Sequence, residues 1–301
     1  MNLPAPSRAT TGQPSAVTLP SWPLLPALVW MGAFFFLPLL LVLVISFAAR
    51  GTYGGVEWTF SLANYQNMAD PLYLRIYARS LALAAATTVV CLLLGFPLAY
   101  YIARAPARWQ AVWLMLIIIP FWTNFLVRTY AWMFILRSEG LFHTVLSSVG
   151  LVTSPIEILY SDTAVLIGLV YGYLPFMVLP LYAAIERLDR SVVEAARDLY
   201  ASGWSVFWRV VLPLTKPGVI AGCLLVFIPS VGAFLTPDLL GGARSMMVGN
   251  LIQHEYLVVR DWPFGSAVSF VLMAVVVLGV VGYVKVEGVW RESRWKRGWL
   301  G

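Results

Sequence analysis

The segment Ser191-Val-Val-Glu194-Ala195-Ala196-Arg-Asp-Leu-Tyr200-Ala-Ser-Gly203-Trp-Ser-Val-Phe-Trp-Arg-Val210-Val-Leu212-Pro213 decides how this chain is read. It lies in a loop, residues 186–216, between two long apolar runs. Simple helix connections take about 2–8 residues, so this loop must have structure of its own. Ser191 followed three residues later by Glu194 has capping-box spacing and predicts a helix start. Good helix formers continue to Ala201, apart from Tyr200, and Gly203 is the expected stop. Trp204, Phe207, Trp208 and Val211 recur at i, i+3, i+4 and i+7, which predicts a second short helix with one apolar face. Pro213 is expected to end it and Pro217 to open the next run. The outcome is a helix-turn-helix at a membrane surface. It is either an interfacial amphipathic element or a docking element for a soluble partner.

Outward from this loop the chain is strongly apolar: 60% of its 301 residues are hydrophobic and 11% charged. Soluble domains carry roughly 45–50% apolar and about 25% charged residues, so the excess must face lipid. A membrane helix needs about 20 mostly apolar residues. Six stretches qualify: Pro23 to Phe47, Ser80 to Tyr101, Ala111 to Leu136, Thr163 to Ile185, Pro217 to Leu239, and Ser266 to Val284. They are continuous rather than alternating, which predicts helices that satisfy their own backbone. The expected fold is an all-α integral membrane protein with six transmembrane helices.

The expected organisation is a disordered cytoplasmic tail over residues 1–21, a six-helix membrane domain over 22–286, and a basic cytoplasmic tail over 287–301. The first apolar run is too long for a signal-peptide core of about 7–15 residues and reads as a retained helix. With both termini inside, Arg8, Arg104, Arg108, Arg187, Arg190, Arg197, Arg209, Lys216, Lys285, Arg291, Arg294, Lys296 and Arg297 fall inside. Arg50, Arg75, Arg79, Arg137, Arg244 and Arg260 fall outside, and Arg128 lies within a span. That bias predicts cytoplasmic termini. The outer loops hold more carboxylates than basic residues, which would suit a cationic solute. Gly168-Leu-Val-Tyr-Gly172 has the spacing of a close helix–helix seam, and Pro120, Pro175, Pro180 and Pro229 can kink their spans.

Several functions are disfavoured. The net charge of +6 is spread between apolar runs, unlike a nucleic-acid footprint. Cys91, Cys223, His143 and His254 lack metal-ligand spacing. A membrane enzyme would need a convergent His, Cys or carboxylate set. An ion-coupled secondary transporter would show mid-span ionisable groups and an internal repeat; neither is evident.

Glu194-Ala195-Ala196, three residues, Tyr200, nine residues, then Val210-x-Leu212-Pro213 resembles the EAA loop of ABC importer permeases, whose pattern is Glu-Ala-Ala, three residues, Gly, nine residues, Ile-x-Leu-Pro. Val210 stands for Ile and Tyr200 for the Gly. Pro120-Phe-Trp-Thr-Asn124 with Arg128, Asp238-Leu-Leu-Gly-Gly-Ala243, Gly249-Asn250 and Arg260-Asp-Trp-Pro-Phe-Gly265 resemble the spermidine/putrescine type of that family, from Ser80 to the last span. The resemblance implies the MetI-like type I permease fold and an inner-membrane location. It implies a coupling site at Glu194, Ala195, Ala196, Tyr200, Gly203, Val210, Leu212 and Pro213.

The implied partners are two copies of a cytoplasmic ATPase, a second related permease and a solute-binding protein. ATP and Mg would be bound by the ATPase, and this chain has no phosphate loop of its own. A polyamine is the expected solute; another small amine or organic solute is the alternative. For a flexible polycation, Asp238 with Trp122, Asn124, Tyr130, Tyr173 and Phe234 are candidate path residues, since aromatic faces attract cations by about 0.5–2 kcal/mol each. Arg128 either belongs to that path or pairs with Asp238.

Overall fold

The computed structural model describes residues 25–148, 150 and 157–297. The expected N-terminal tail over residues 1–21 lies outside them, as do the last four residues of the C-terminal tail. Helix α1, Leu25–Ser46, is apolar on every side. Its 22 residues span about 33 Å at 1.5 Å per residue, enough to cross about 30 Å of hydrocarbon.

From Leu43 onward the chain forms a separate compact unit. Helices α3 (Pro71–Arg104), α7 (Asp162–Glu186) and α10 (Leu212–Val231) pack mutually and form its centre. The buried residues of α3 include Ser80, Ala84, Thr87, Cys91, Gly95 and Ala99, a stripe of small side chains at helical spacing that lets neighbours come close. Among these three helices the closest approaches are made by other glycines than expected. A Cβ on Gly218 of α10 would stand 2.4 Å from Ala184 and 2.7 Å from the Pro180 carbonyl of α7. One on Gly222 would meet Met177, as would one on Gly95. Of the expected Gly168/Gly172 seam, Gly168 does make a close approach, since a Cβ there would stand 2.5 Å from Leu240 and 2.7 Å from Thr236, whereas Gly172 faces open space.

Two of the expected spans differ from their apolar runs. The third is broken into α4 (Ala107–Trp122) and α5 (Phe125–Leu136), bent by 91°. Pro120 lacks a backbone donor, and the groups freed at the break are met locally. The Thr123 hydroxyl donates to the Pro120 carbonyl (2.6 Å), and Asn124 caps α5 by accepting from the Leu126 N–H (2.9 Å). The fifth span begins earlier and ends sooner than its apolar run. The helix is continuous over Gly203–Val231, comprising α9 (Gly203–Val206), a wide π turn at Phe207–Val211, and α10. Pro213 therefore does not stop it. The Leu212 N–H reaches back five residues to Phe207, and this wider turn makes room for a proline ring that would otherwise press on the preceding turn.

Past Val231 the chain turns back at Gly232 and folds as short turns to Asp261, including a π turn at Pro237–Gly241 and α11 (Val248–His254). Asn250 Nδ2 closes this segment on itself by donating to the Phe234 carbonyl (2.7 Å), and the Val248 N–H ties it to α3 by donating to Ser80 Oγ (2.8 Å). Gly249 is required there, because a Cβ would fall 2.5 Å from the Ala233 carbonyl oxygen. A small antiparallel hairpin, β1 (Ala48–Arg50) and β2 (Val56–Phe60), adds strands that hydropathy did not announce. Asn64 holds its entry by donating to the Ser46 and Ala48 carbonyls, and the Gly55 N–H donates to the Arg260 carbonyl. The last helix, α12, runs Trp262–Arg297.

Replacing Gly218 by Val is expected to cost about 1–3 kcal/mol by overpacking α7 against α10, whereas Gly172→Ala should be neutral. Thermal denaturation of the two variants in detergent checks this, and equal behaviour would show that the α7–α10 approach is not the tight seam.

Candidate functional site

The bundle has two chemically distinct ends. At one end the termini of α7 and α10 are joined by α8 (Arg190–Asp198) and α9. At the other lie the β hairpin, the start of α3, and the 232–261 segment. The α8–α9 helical hairpin is fixed to the bundle from beneath. Val193, Val206 and Val211 are buried in one cluster with Phe96, Ile102, Met177 and Leu181, and the Phe207 ring meets Phe96 edge-on at 5.2 Å.

The start of α8 differs from the capping-box reading. Asp189 is the cap, its carboxylate accepting from the Ser191 N–H at 2.9 Å, and Glu194 stands exposed in the body of the helix. Asp is at least as good a cap as Ser, and its charge suits the positive end of the helix. The Ser191 N–H holds the Asp189 carboxyl below its ordinary range. The turn also falls elsewhere than expected. Tyr200, not Gly203, takes the left-handed conformation, with φ 58°, and its N–H returns to the Arg197 carbonyl at 2.9 Å. Gly203 is the first residue of α9, capped by Ser202 Oγ accepting from the Ser205 N–H, and a Cβ there would meet nothing. Tyr200 thus occupies the geometry for which glycine is the natural residue.

The outer surface of this hairpin is apolar and open. Leu199 is 82% exposed, Tyr200 99% and Trp204 71%. The Trp204, Phe207 and Trp208 rings form one cluster. Of the expected apolar face, Phe207 and Val211 turn inward while Trp204 and Trp208 face out. Ala195 is exposed, Ala196 and Val210 are half-buried, Leu212 packs against the core cluster, and Pro213 is exposed. Exposed apolar patches rimmed by charge mark interaction surfaces.

The candidate path residues are not gathered into one pocket. Arg128 sits at the α4–α5 elbow. Its Nη1 donates to the Pro120 carbonyl (3.4 Å), and its guanidinium lies over Phe121, Phe125 and Tyr171 at 5.3–5.6 Å. It forms no ion pair with Asp238, which stands exposed on the Pro237–Gly241 turn although α5 packs against that turn. Asn124 is occupied as a cap, and Tyr173 donates to the Pro229 carbonyl (3.3 Å). Trp122, Tyr130 and Phe234 are exposed rings. One node escaped the sequence reading. Arg79 holds Asp162 through Nη2 at 2.6 Å and Nε at 3.0 Å, and Ser245 Oγ donates to the same carboxylate at 2.6 Å. It ties α3, α7 and the 232–261 segment together. Its only advance signal is that Arg79 and Asp162 each flank an apolar run.

The family model described as "Binding-protein-dependent transport system inner membrane component" matches residues 95–287. The chain belongs to this family. Its members are thus inner-membrane components of transport systems, and this multi-pass chain is a permease of that kind rather than an enzyme. The spermidine/putrescine transport system permease protein PotB of Escherichia coli (strain K12) is 44% identical over 265 residues, covering 88% of this chain and 94% of that protein. The PotB of Haemophilus influenzae is 44% identical over 256 residues, covering 85% of this chain and 90% of that protein. A bacterial ABC transporter involved in the import of the acidic polysaccharide alginate has a chain of the same fold, with TM-score 0.69, 15% identity, and coverage of 88% and 95% of the two chains. A chain of the MetNI methionine ABC transporter matches with TM-score 0.54 at 19% identity, over 74% and 98%.

A left-handed non-glycine residue costs about 1 kcal/mol. Tyr200→Gly is therefore expected to slow hydrogen exchange of the amides around residues 199–203 about fivefold, read by mass spectrometry. Unchanged or faster exchange would mean that the Tyr200 ring stabilises the turn.

Proposed function

We propose that this permease forms one half of the membrane path of an ABC importer for spermidine and putrescine. The observation that carries this reading is the hairpin. It is anchored in the core by Val193, Val206 and Val211 yet presents Leu199, Tyr200 and Trp204 openly, at the end remote from the β hairpin. The identity of 44% to the two PotB permeases supports the solute class.

In this reading the hairpin end is cytoplasmic, as are both termini. Glu194 with Ala195, Ala196 and the Leu199–Tyr200 tip docks in a cleft of an ATPase subunit, which binds ATP and Mg. Two such subunits, a second related permease and a solute-binding protein complete the assembly. Closing of the ATPases moves the hairpin, and the continuous Gly203–Val231 helix carries that motion across the membrane, a rigid-body transition of the hinge and shear kind. On the path, Asp238 offers a carboxylate and Trp122, Tyr130 and Phe234 offer exposed faces. Tyr173, Asn124 and Arg128 support the walls, since each is engaged with backbone. Few and weak cation sites let a polyamine leave as well as enter.

Two substitutions test the docking role. Leu199→Asp is expected to abolish co-purification of the ATPase in mild detergent while leaving the melting temperature within a few degrees, because the side chain is solvent-facing. Glu194→Gln should lower ATP-driven spermidine uptake in proteoliposomes without changing stability. Retained ATPase binding by Leu199→Asp would overturn the docking assignment. Normal assembly with no uptake of either polyamine would overturn the substrate assignment alone.

A further inference from the structure

The end of the bundle remote from the coupling hairpin holds a cavity of about 650 Å³. Its lining combines Asp70, Glu255 and Asp261 with the rings of Tyr73 and Phe264, which meet at 4.9 Å, and with Arg50. The carboxylates are not equivalent. Asp70 caps α3 by accepting from the Leu72 N–H (2.8 Å), and Asp261 accepts from the Phe264 N–H (3.0 Å) while lying 3.9 Å from Arg50 Nε. Arg50 is itself held by donating Nη2 to the Val259 carbonyl (3.1 Å). Glu255 is different. It is only 8% exposed, and among the described residues its carboxylate accepts no hydrogen bond and forms no ion pair. Its oxygens are nevertheless not sealed off, so the carboxylate is open to a donor that enters the cavity. Burial first, and then the neighbouring Asp261, push the Glu255 carboxyl above its ordinary range, against opposing pulls from His254 and Arg50.

Arg50 is the one cationic side chain among the described residues of the lining and is engaged by Asp261 and the Val259 carbonyl, which leaves Glu255 and the two aromatic faces without a cationic donor of their own. An alkylammonium supplies it: the –NH₃⁺ group donates to Glu255 and shares the field of Asp70 and Asp261, while its methylenes lie along Tyr73 and Phe264. The segment that carries Glu255 is also built for rigidity. Gly54 abuts Arg260, whose carbonyl accepts from the Gly55 N–H, so the β hairpin braces the π turn at Glu255–Val259.

We infer that this cavity is an alkylammonium site on the solute-entry face, with Glu255 as its central acceptor, receiving one end of the amine before it enters the membrane path. The inference rests on the polyamine reading above for the identity of that amine.

The test uses the assembled importer in nanodiscs without its binding protein. Equilibrium binding of radiolabelled spermidine is measured for the parent, Glu255→Gln and Glu57→Gln; Glu57 lies exposed on β2 as a charge-matched control. Uptake with the binding protein present is measured in parallel. Loss of one charge-assisted hydrogen bond predicts at least about tenfold weaker binding for Glu255→Gln, with Glu57→Gln unchanged and the melting temperatures of all three alike. Equal weakening by Glu57→Gln would reduce the effect to general surface charge and overturn the site. Binding that Glu255→Gln leaves intact would also overturn it, even if uptake fell, since the ammonium group would then come from a basic side chain of the docked binding protein. If the parent binds spermidine in a Glu255-dependent way but does not transport it, the site stands and the substrate assignment fails.

Discussion

A peptide group inside hydrocarbon has no water to bond with, so each departure from regular helix must be satisfied by the protein itself. That constraint explains the irregular parts of this permease better than hydropathy does. Where Pro120 interrupts the third span, Thr123, Asn124 and Arg128 supply or accept the missing bonds. Where the chain folds back after Val231, Asn250 and Ser80 do so. Where Pro213 would break the helix leading out of the coupling hairpin, a π turn preserves continuity instead. At these breaks the polar residues of an otherwise apolar sequence complete the backbone.

This changes how the charged residues are understood. Arg128 looked like a lone charge in a span, and an intramembrane charge is by default a functional candidate. In place, its guanidinium is bonded to a helix end and covered by three rings, so its first task is to hold the elbow. Arg79 and Asp162 looked like ordinary loop charges, yet they join three elements at one point.

The membrane class, five long apolar helices among the described residues and the hairpin between the fourth and fifth apolar runs were legible because each depends on local pattern: long apolar runs, and a spacing of Glu194, Tyr200 and Pro213. Their exact limits were not. The helix cap moved from Ser191 to Asp189 because two good caps stood two residues apart. The turn moved from Gly203 to Tyr200 because a favourable residue type does not fix where a chain must turn. Pro120 announced a kink in the third span but not its 91°, and the fold of residues 232–261 was illegible since it rests on bonds between residues distant in sequence, such as Val248 with Ser80. Glu255 gave no local sign at all; its isolation appears only when the β hairpin, α3 and α12 surround it.

The unbroken helix from Gly203 to Val231 has a geometric consequence. Its 29 residues make a rod of about 43 Å. If that rod swings about its contact with Pro180, where Gly218 sits near the middle, its two tips travel in opposite directions. A tilt of about 5° displaces each by roughly 2 Å over the half-length, so a small displacement at one membrane face reappears with reversed sign at the other. A seesaw of this kind can widen one mouth while narrowing the opposite one, with no change in the helix itself.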